Sequence, residues 1–235
     1  MSKGTILVTG ASRGIGKAIS QRLYQDGYHI IGTYNSTKPA ASSAEGAGGI
    51  HNFVQLDCGN DSSIEAIART LADSELHGIV NNAGMIEFED FRNFDLKGWR
   101  RTFAVNLDGV LKLTLALKDR LGANGSVVNI ASTDGFIGGF DTMAYAASKA
   151  ALENMAQTYA AELTKTNVKV NILDPGAIRT ALRAKAFPGD DPDSLRPPDA
   201  LNDALLALAA PASPQHGATL PARYSRTAWL FAVGG

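Results

Sequence analysis

The sequence predicts an α/β fold: a single doubly wound parallel sheet flanked by helices on both faces. Three observations predict it. Short apolar or β-rich runs alternate with helical patterns from residue 5 onward, the order that builds parallel sheets. The first run passes through a turn holding three glycines into a helical pattern. The 235 residues, 45% of them apolar, suit one domain over 1–235 with a sizeable core better than two.

Residues 5–9 (Thr-Ile-Leu-Val-Thr) are apolar without clean alternation, as in a strand covered on both faces. Thr9-Gly10-Ala11-Ser12-Arg13-Gly14-Ile15-Gly16 follows, and over 14–25 Ile15, Ala18, Ile19 and Leu23 recur at helical spacing. Strand, glycine-rich turn and helix together form the context of a Rossmann-like dinucleotide-binding loop. Gly10 permits the tight turn, Gly14 and Gly16 allow close approach, and the helix N-terminus faces the pyrophosphate. Without later motifs the same stretch would read as a plain βα turn. The spacing TGxxxGxG resembles that of the short-chain dehydrogenase/reductase family. The resemblance implies the fold above and an NAD(P) cofactor, held here by Gly10, Ser12, Arg13, Gly14, Ile15 and Gly16.

Residues 28–34 read as the second strand. An acid beyond it would suit the ribose of NAD, a basic environment the 2′-phosphate of NADP. Here stand Asn35, Ser36, Thr37 and Lys38, with no Asp or Glu before Glu45, and Arg13 sits inside the glycine loop. NADP(H) is therefore favoured over NAD(H), with Asn35 and Ser36 among its contacts; Arg13 and Lys38 also read as solvated surface charges. Residues 39–49 are small and glycine-rich, so an irregular connection is expected there. A third strand, 51–56, ends at Asp57, to which the resemblance gives the adenine amino group, with Cys58 beside it among the cofactor contacts, a small packed side chain rather than a reactive thiol. A helix follows, capped by Asp61 or Ser62. A fourth strand, 76–80, ends in Asn81-Asn82-Ala83-Gly84, which resembles the family's NNAG motif. Asn82, Ala83 and Gly84 at that sheet edge would leave room for the cofactor's ribose.

Residues 95–121 carry one long helical pattern, interrupted by Asn106 among apolar neighbours. Alone, that amide reads as a buried group bonded to backbone; by resemblance it holds a water linking a catalytic Lys to solvent. The fifth strand, 126–131, ends at Ser132, 13 residues before Tyr145. Tyr145 and Lys149 open another helical pattern and lie on one face, about one turn apart. A cation beside a phenol favours phenolate, so the pair can make an acid/base that works near neutral pH. YxxxK alone occurs by chance in many helices, and a strand-end serine alone is more often a turn residue. By resemblance, Asn106, Ser132, Tyr145 and Lys149 match the family's catalytic tetrad one by one. Tyr145 would exchange the proton, Ser132 polarise the carbonyl oxygen, and Lys149 keep the phenol acidic and bind the nicotinamide ribose. A sixth strand, 168–173, leads to Asp174-Pro175-Gly176, where the family usually has Asn or Ser in place of Asp174. Pro175, Gly176, Ile178 and Thr180 match the family segment that holds the nicotinamide carboxamide.

Past residue 180 the resemblance thins. Residues 177–198 are expected to form a substrate-side lid, 199–209 a helix, 211–226 an irregular stretch and 227–235 the last strand, with Val233 where an Asp is typical. Pocket walls are expected from Thr133, Asp134, Phe136, Ile137, Phe140 and Met143, with Met85, Ile86, Leu182 and Phe187. That pocket is mostly apolar with one acid, although Asp134 also reads as a turn cap.

Composition narrows the function classes. A net charge of −1 gives no electrostatic case for nucleic acid or an anionic membrane as partner. The single cysteine cannot form an internal disulfide, no apolar stretch nears 18 residues, and no signal pattern opens the chain. A cytoplasmic soluble protein is expected. His29, His51, His77 and His216 suggest neither a metal site nor a triad, and Ser132 lacks a GxSxG elbow. The functional expectation is an NADPH-dependent oxidoreductase that reduces a carbonyl of a small or medium apolar substrate, with Tyr145 as acid. Its cofactor half is similar to 3-oxoacyl-carrier-protein reductases, and a homodimer or homotetramer is the family expectation. An NAD-linked alcohol dehydrogenase and a non-catalytic NADP(H)-binding sensor are the alternatives.

Overall fold

The computed structural model describes residues 2–39, 52–211 and 213–221. The expectations for 40–49 and for a strand at 227–235, with His51 and Val233, lie outside the described residues. Among the described residues seven parallel strands form one sheet: β1 (Thr5–Val8), β2 (His29–Tyr34), β3 (Asn52–Gln55), β4 (Leu76–Asn81), β5 (Leu121–Ile130), β6 (Lys169–Asp174) and β7 (Thr219–Pro221). Their order is β3-β2-β1-β4-β5-β6-β7, so the direction of winding reverses between β1 and β4. In open α/β sheets ligands bind at the carboxyl ends of the strands beside such a switch point.

Alternation along each strand decides which helix covers which face. Val8, Val80 and Val128 pack with Ile19 and Leu23 of α1 (Gly14–Gln25) and with Leu205 and Leu208 of α8 (Asn202–Ala209). Their neighbours Leu7 and Ile79 pack on the other face against α2 (Asp61–Thr70) and α4 (Gly109–Leu117). Farther along that face Val127, Val170 and Ile172 meet α6 (Met143–Leu163). The inner edge of α6 repeats every fourth residue as Ala144, Ser148, Leu152, Ala156 and Ala160, all buried. Mostly small side chains let this helix lie close to β5 and β6.

Several boundaries differ from the sequence expectation. The 95–121 pattern divides into α3 (Leu96–Phe103), a π-helical turn at Ala104–Asp108, α4 and a 3-10 turn at Lys118–Arg120. Leu121 then starts β5, earlier than expected, because Gly122, Asn124 (φ +69°) and Gly125 hide the strand's first half behind turn-forming residues. The cap of α2 is Asn60, which accepts from Ser63 N–H, rather than Asp61 or Ser62. The stretch 211–226 is not wholly irregular, since β7 pairs in parallel with β6 within it. Three paired residues are too few to set up a period in the sequence. Among the described residues no helix is long and apolar enough to cross a membrane.

Candidate active site

A groove of about 690 Å³ runs over the carboxyl ends of the strands. At one end lies the glycine loop. Gly10 has φ +64°, and a Cβ there would stand 3.1 Å from Ala83 Cα, so the loop and the Asn-Asn-Ala-Gly turn need a glycine at that contact. Thr9 Oγ1 accepts from the N–H groups of Asn82 and Ala83, both at 2.9 Å, and Asn82 Nδ2 donates to Thr9 O at 2.8 Å. The two motifs are thus clamped together. Gly16 does not line the groove; any side chain there would collide with the Gly10 carbonyl.

The loop fits a dinucleotide phosphate. The cap positions of α2, α3 and α7 (Ala181–Ala186) use side-chain oxygens of Asn60, Asp95 and Thr180, whereas α1 has no side-chain cap bond and no acid in its first turn. Gly14 and Ile15 of its first turn line the groove, where a helix N-terminus suits an anion. Ser12, Arg13, Gly14 and Ile15 line this end with Asn35, Ser36, Asp57 and Cys58. Burial pushes the Cys58 thiol up to about 12, which leaves it a packed, unreactive side chain.

At the other end stand Ser132, Tyr145 and Lys149, with Gly84 beside them. Lys149 is 5% exposed and donates from Nζ to Ile130 O at 2.7 Å. Burial pulls its ammonium down to about 8. Burial also raises the Tyr145 phenol; the Ser132 side chain opposes that, Asp134 and Asp174 add to it, and Arg183 opposes it. The phenol is therefore pushed up, where the sequence predicted that Lys149 would pull it down. Lys149 Nζ lies 5.9 Å from the Tyr145 ring centre and donates to a carbonyl on β5 rather than to the phenol.

Asn106 sits in the π-helical turn, fully buried. Its Oδ1 accepts from Met85 N–H at 2.9 Å, while its Nδ2 donates to Met85 O at 2.9 Å and to Ser148 Oγ at 3.1 Å. Ser148 in turn donates to Tyr145 O at 2.8 Å. The amide does not line the groove; it brackets the β4 loop against the Tyr/Lys helix.

Two residues to which the sequence reading gave no role hold this arrangement. Buried Glu89 accepts from the Ala144 N–H at 2.8 Å, and its own N–H donates to Asp141 O at 2.9 Å. It caps α6 from a distant loop, since Thr142 at the cap position makes no side-chain cap bond. Glu89→Ala should cost about 1–2 kcal/mol of stability by urea unfolding and lower kcat by about tenfold through misplacement of Tyr145. Glu89→Gln, which keeps an acceptor oxygen, should restore most of both; if it restores neither, the capping argument fails. Asp174 is the second. Its carboxylate accepts from Thr133 Oγ1 at 2.8 and 3.1 Å and from Gly176 N–H at 2.9 Å, tying the ends of β5 and β6 together.

Pro175, Gly176, Ile178 and Thr180 line the groove between the two ends, with Thr180 Oγ1 capping α7 by accepting from Arg183 N–H at 3.1 Å. Of the expected walls, Met85, Ile86, Thr133, Asp134, Ile137, Leu182 and Phe187 line it. Phe136, Phe140 and Met143 do not, and are 56%, 89% and 42% exposed. Burial raises the Asp134 carboxyl, Arg183 opposes the rise and Asp174 adds to it.

Comparison with known proteins agrees with this geometry. The short chain dehydrogenase family profile matches residues 4–191. A 3-oxoacyl-[acyl-carrier-protein] reductase of Aggregatibacter actinomycetemcomitans is 33% identical over 196 residues, covering 80% of this chain and 81% of that protein. The 2-dehydro-3-deoxy-D-gluconate 5-dehydrogenase of Bacillus subtilis is 35% identical over 182 residues, covering 75% and 72%. A short chain dehydrogenase structure from Shigella flexneri, complexed with NADP, superposes with a TM-score of 0.87 at 29% identity, covering 95% of this chain and 98% of that one. With the glycine loop, the Asn-Asn-Ala-Gly turn and the Ser/Tyr/Lys groove in one sheet, the chain belongs to the short-chain dehydrogenase/reductase family and is an NAD(P)(H)-dependent oxidoreductase.

Proposed function

We propose that the protein is an NADPH-dependent carbonyl reductase for a small or medium substrate with an apolar body. The observation that carries this reading is one continuous groove. It has an uncapped, acid-free helix N-terminus at one end and the hydroxyls of Ser132 and Tyr145 at the other. The glycine loop would hold the pyrophosphate, Arg13, Asn35 and Ser36 the 2′-phosphate, Asp57 the adenine, and Asn82 to Gly84 with Lys149 the nicotinamide ribose. When bound, the cofactor supplies the hydride.

The chain's own share is positioning and proton supply. Ser132 Oγ accepts from Asp134 N–H at 3.2 Å and its hydroxyl neighbours the Tyr145 phenol, so both hydroxyls would meet the substrate oxygen. Tyr145 gives its phenolic proton to that oxygen as charge develops there. The phenol, raised by burial, holds its proton at neutral pH until charge develops on that oxygen. Lys149, still mostly an ammonium at neutral pH but brought down to about 8 by burial, can pass a proton toward Tyr145. Asn106 would join this relay through a water as well as bracing the loop. Residues 177–198 act as a lid, the chain is one domain over 1–235, and assembly as a cytoplasmic homodimer or homotetramer belongs to the same proposal. The relatives' names agree on redox chemistry and differ on substrate, so substrate class is left to the groove itself.

Cofactor titration followed by nicotinamide fluorescence tests the cofactor assignment. NADPH should bind at least about tenfold more tightly than NADH, about 1.4 kcal/mol, and Arg13→Ala should close most of the gap. Equal affinity for the two would remove the Arg13/Ser36 assignment and favour alcohol oxidation with NAD.

A further inference from the structure

One charged side chain in the groove has no task in the reading above. Arg183 lies on α7 and lines the same groove as Ser132 and Tyr145. Its guanidinium is fixed twice. The Cζ sits 3.7 Å from the centre of the Phe187 ring, and Nε donates to Asp190 Oδ2 at 2.6 Å. The side chain is 28% exposed, and neither terminal amino group has a hydrogen-bond partner among the described residues. A guanidinium stacked on its face and anchored at Nε has lost most of its rotamer freedom before any ligand arrives. What it still offers is its pair of terminal N–H groups, a planar fork that matches a carboxylate. Arg183 shares the groove lining with Ser132, Asp134 and Tyr145, and it opposes the rise of both the Asp134 carboxyl and the Tyr145 phenol.

We propose that Arg183 determines specificity by binding the carboxylate of an oxo-acid substrate, whose apolar body lies against Ile137 and Leu182. The proposal rests on the carbonyl-reductase reading and names its substrate class. It also assigns a task to the neighbouring charges. Asp190 orients the guanidinium through Nε, and Asp134, an acid in the same groove, disfavours a carboxylate placed next to itself. A cofactor phosphate is the other oxyanion that could reach this fork, so the test separates the two.

The experiment uses protein saturated with NADPH and two matched pairs, 4-oxopentanoate and 5-oxohexanoate, each with its methyl ester. Calorimetry reads binding, and NADPH oxidation reads turnover separately. At least one acid should bind about tenfold more tightly than its ester. Arg183→Met should erase that preference and leave ester binding and NADPH affinity unchanged, Arg183→Lys should recover part of it, and Asp134→Asn should strengthen acid binding. Equal binding of acids and esters by the wild-type protein overturns the proposal. So does an Arg183→Met defect that appears in NADPH affinity, which would assign the fork to a cofactor phosphate. Arg183-dependent acid binding without reduction of any compound would support the site and count against the carbonyl-reductase reading. Reduction of acids and esters with equal binding would do the reverse.

Discussion

Tyr145→Phe is expected to lower kcat for carbonyl reduction by about a thousand-fold, the middle of the range for loss of a general acid. Phe keeps the ring, and with it the packing at the start of α6. Only the hydroxyl that faces Ser132 in the groove is lost. NADPH affinity should therefore change little, because the glycine loop, Asp57 and the β4 turn are untouched and Lys149 keeps its bond to Ile130 O. Single-turnover reduction, with NADPH binding measured alongside, checks this. A variant that turns over within a fewfold of wild type would remove Tyr145 as the proton donor. A variant that loses NADPH binding would show that the phenol serves the cofactor instead.

Lys149→Met is expected to abolish reduction and yet stabilise the cofactor-free protein. The ammonium sits 5% exposed, and burial pulls it from 10.5 to about 8. At roughly 1.4 kcal/mol for each pH unit of that displacement, keeping it charged in the fold near neutral pH costs about 3 kcal/mol. Removing it leaves Ile130 O without its partner, which costs about 1–2 kcal/mol. The balance is a gain of about 1–2 kcal/mol, or a rise in Tm of several degrees for a chain of this size. The sign with pH follows from the same displacement. Between about 8 and 10.5 the unfolded lysine binds more protons than the folded one, so wild-type stability rises with pH across that window. The variant should lack the rise. Urea midpoints at neutral pH and near the top of that window decide it; a variant less stable than wild type, with the same pH slope, would sink the idea. Stability set aside at a functional site is a common trade.

The sequence by itself determined the order and type of the first six strands and of the longer helices, and most of the residues that line the groove. It could do so because the glycine loop, the Asn-Asn-Ala-Gly turn and the Tyr/Lys pair are local patterns, each set by a strand end or one turn of helix. The π-helical turn, β7 and the first half of β5 escaped it, since each is held by partners elsewhere in the sheet or breaks a period rather than making one. Glu89 capping α6 across 55 residues, and Asp174 holding Thr133 across 41, have no local signature at all. Arg183 drew no reading from the sequence, because Phe187 and Asp190 fix it only once the segment is folded. Tertiary structure alone also decided that Phe136, Phe140 and Met143 turn outward, and that the phenol is raised rather than lowered. A side chain's type is written in the chain, but its desolvation and the charges it faces exist only once the helices are packed on the sheet.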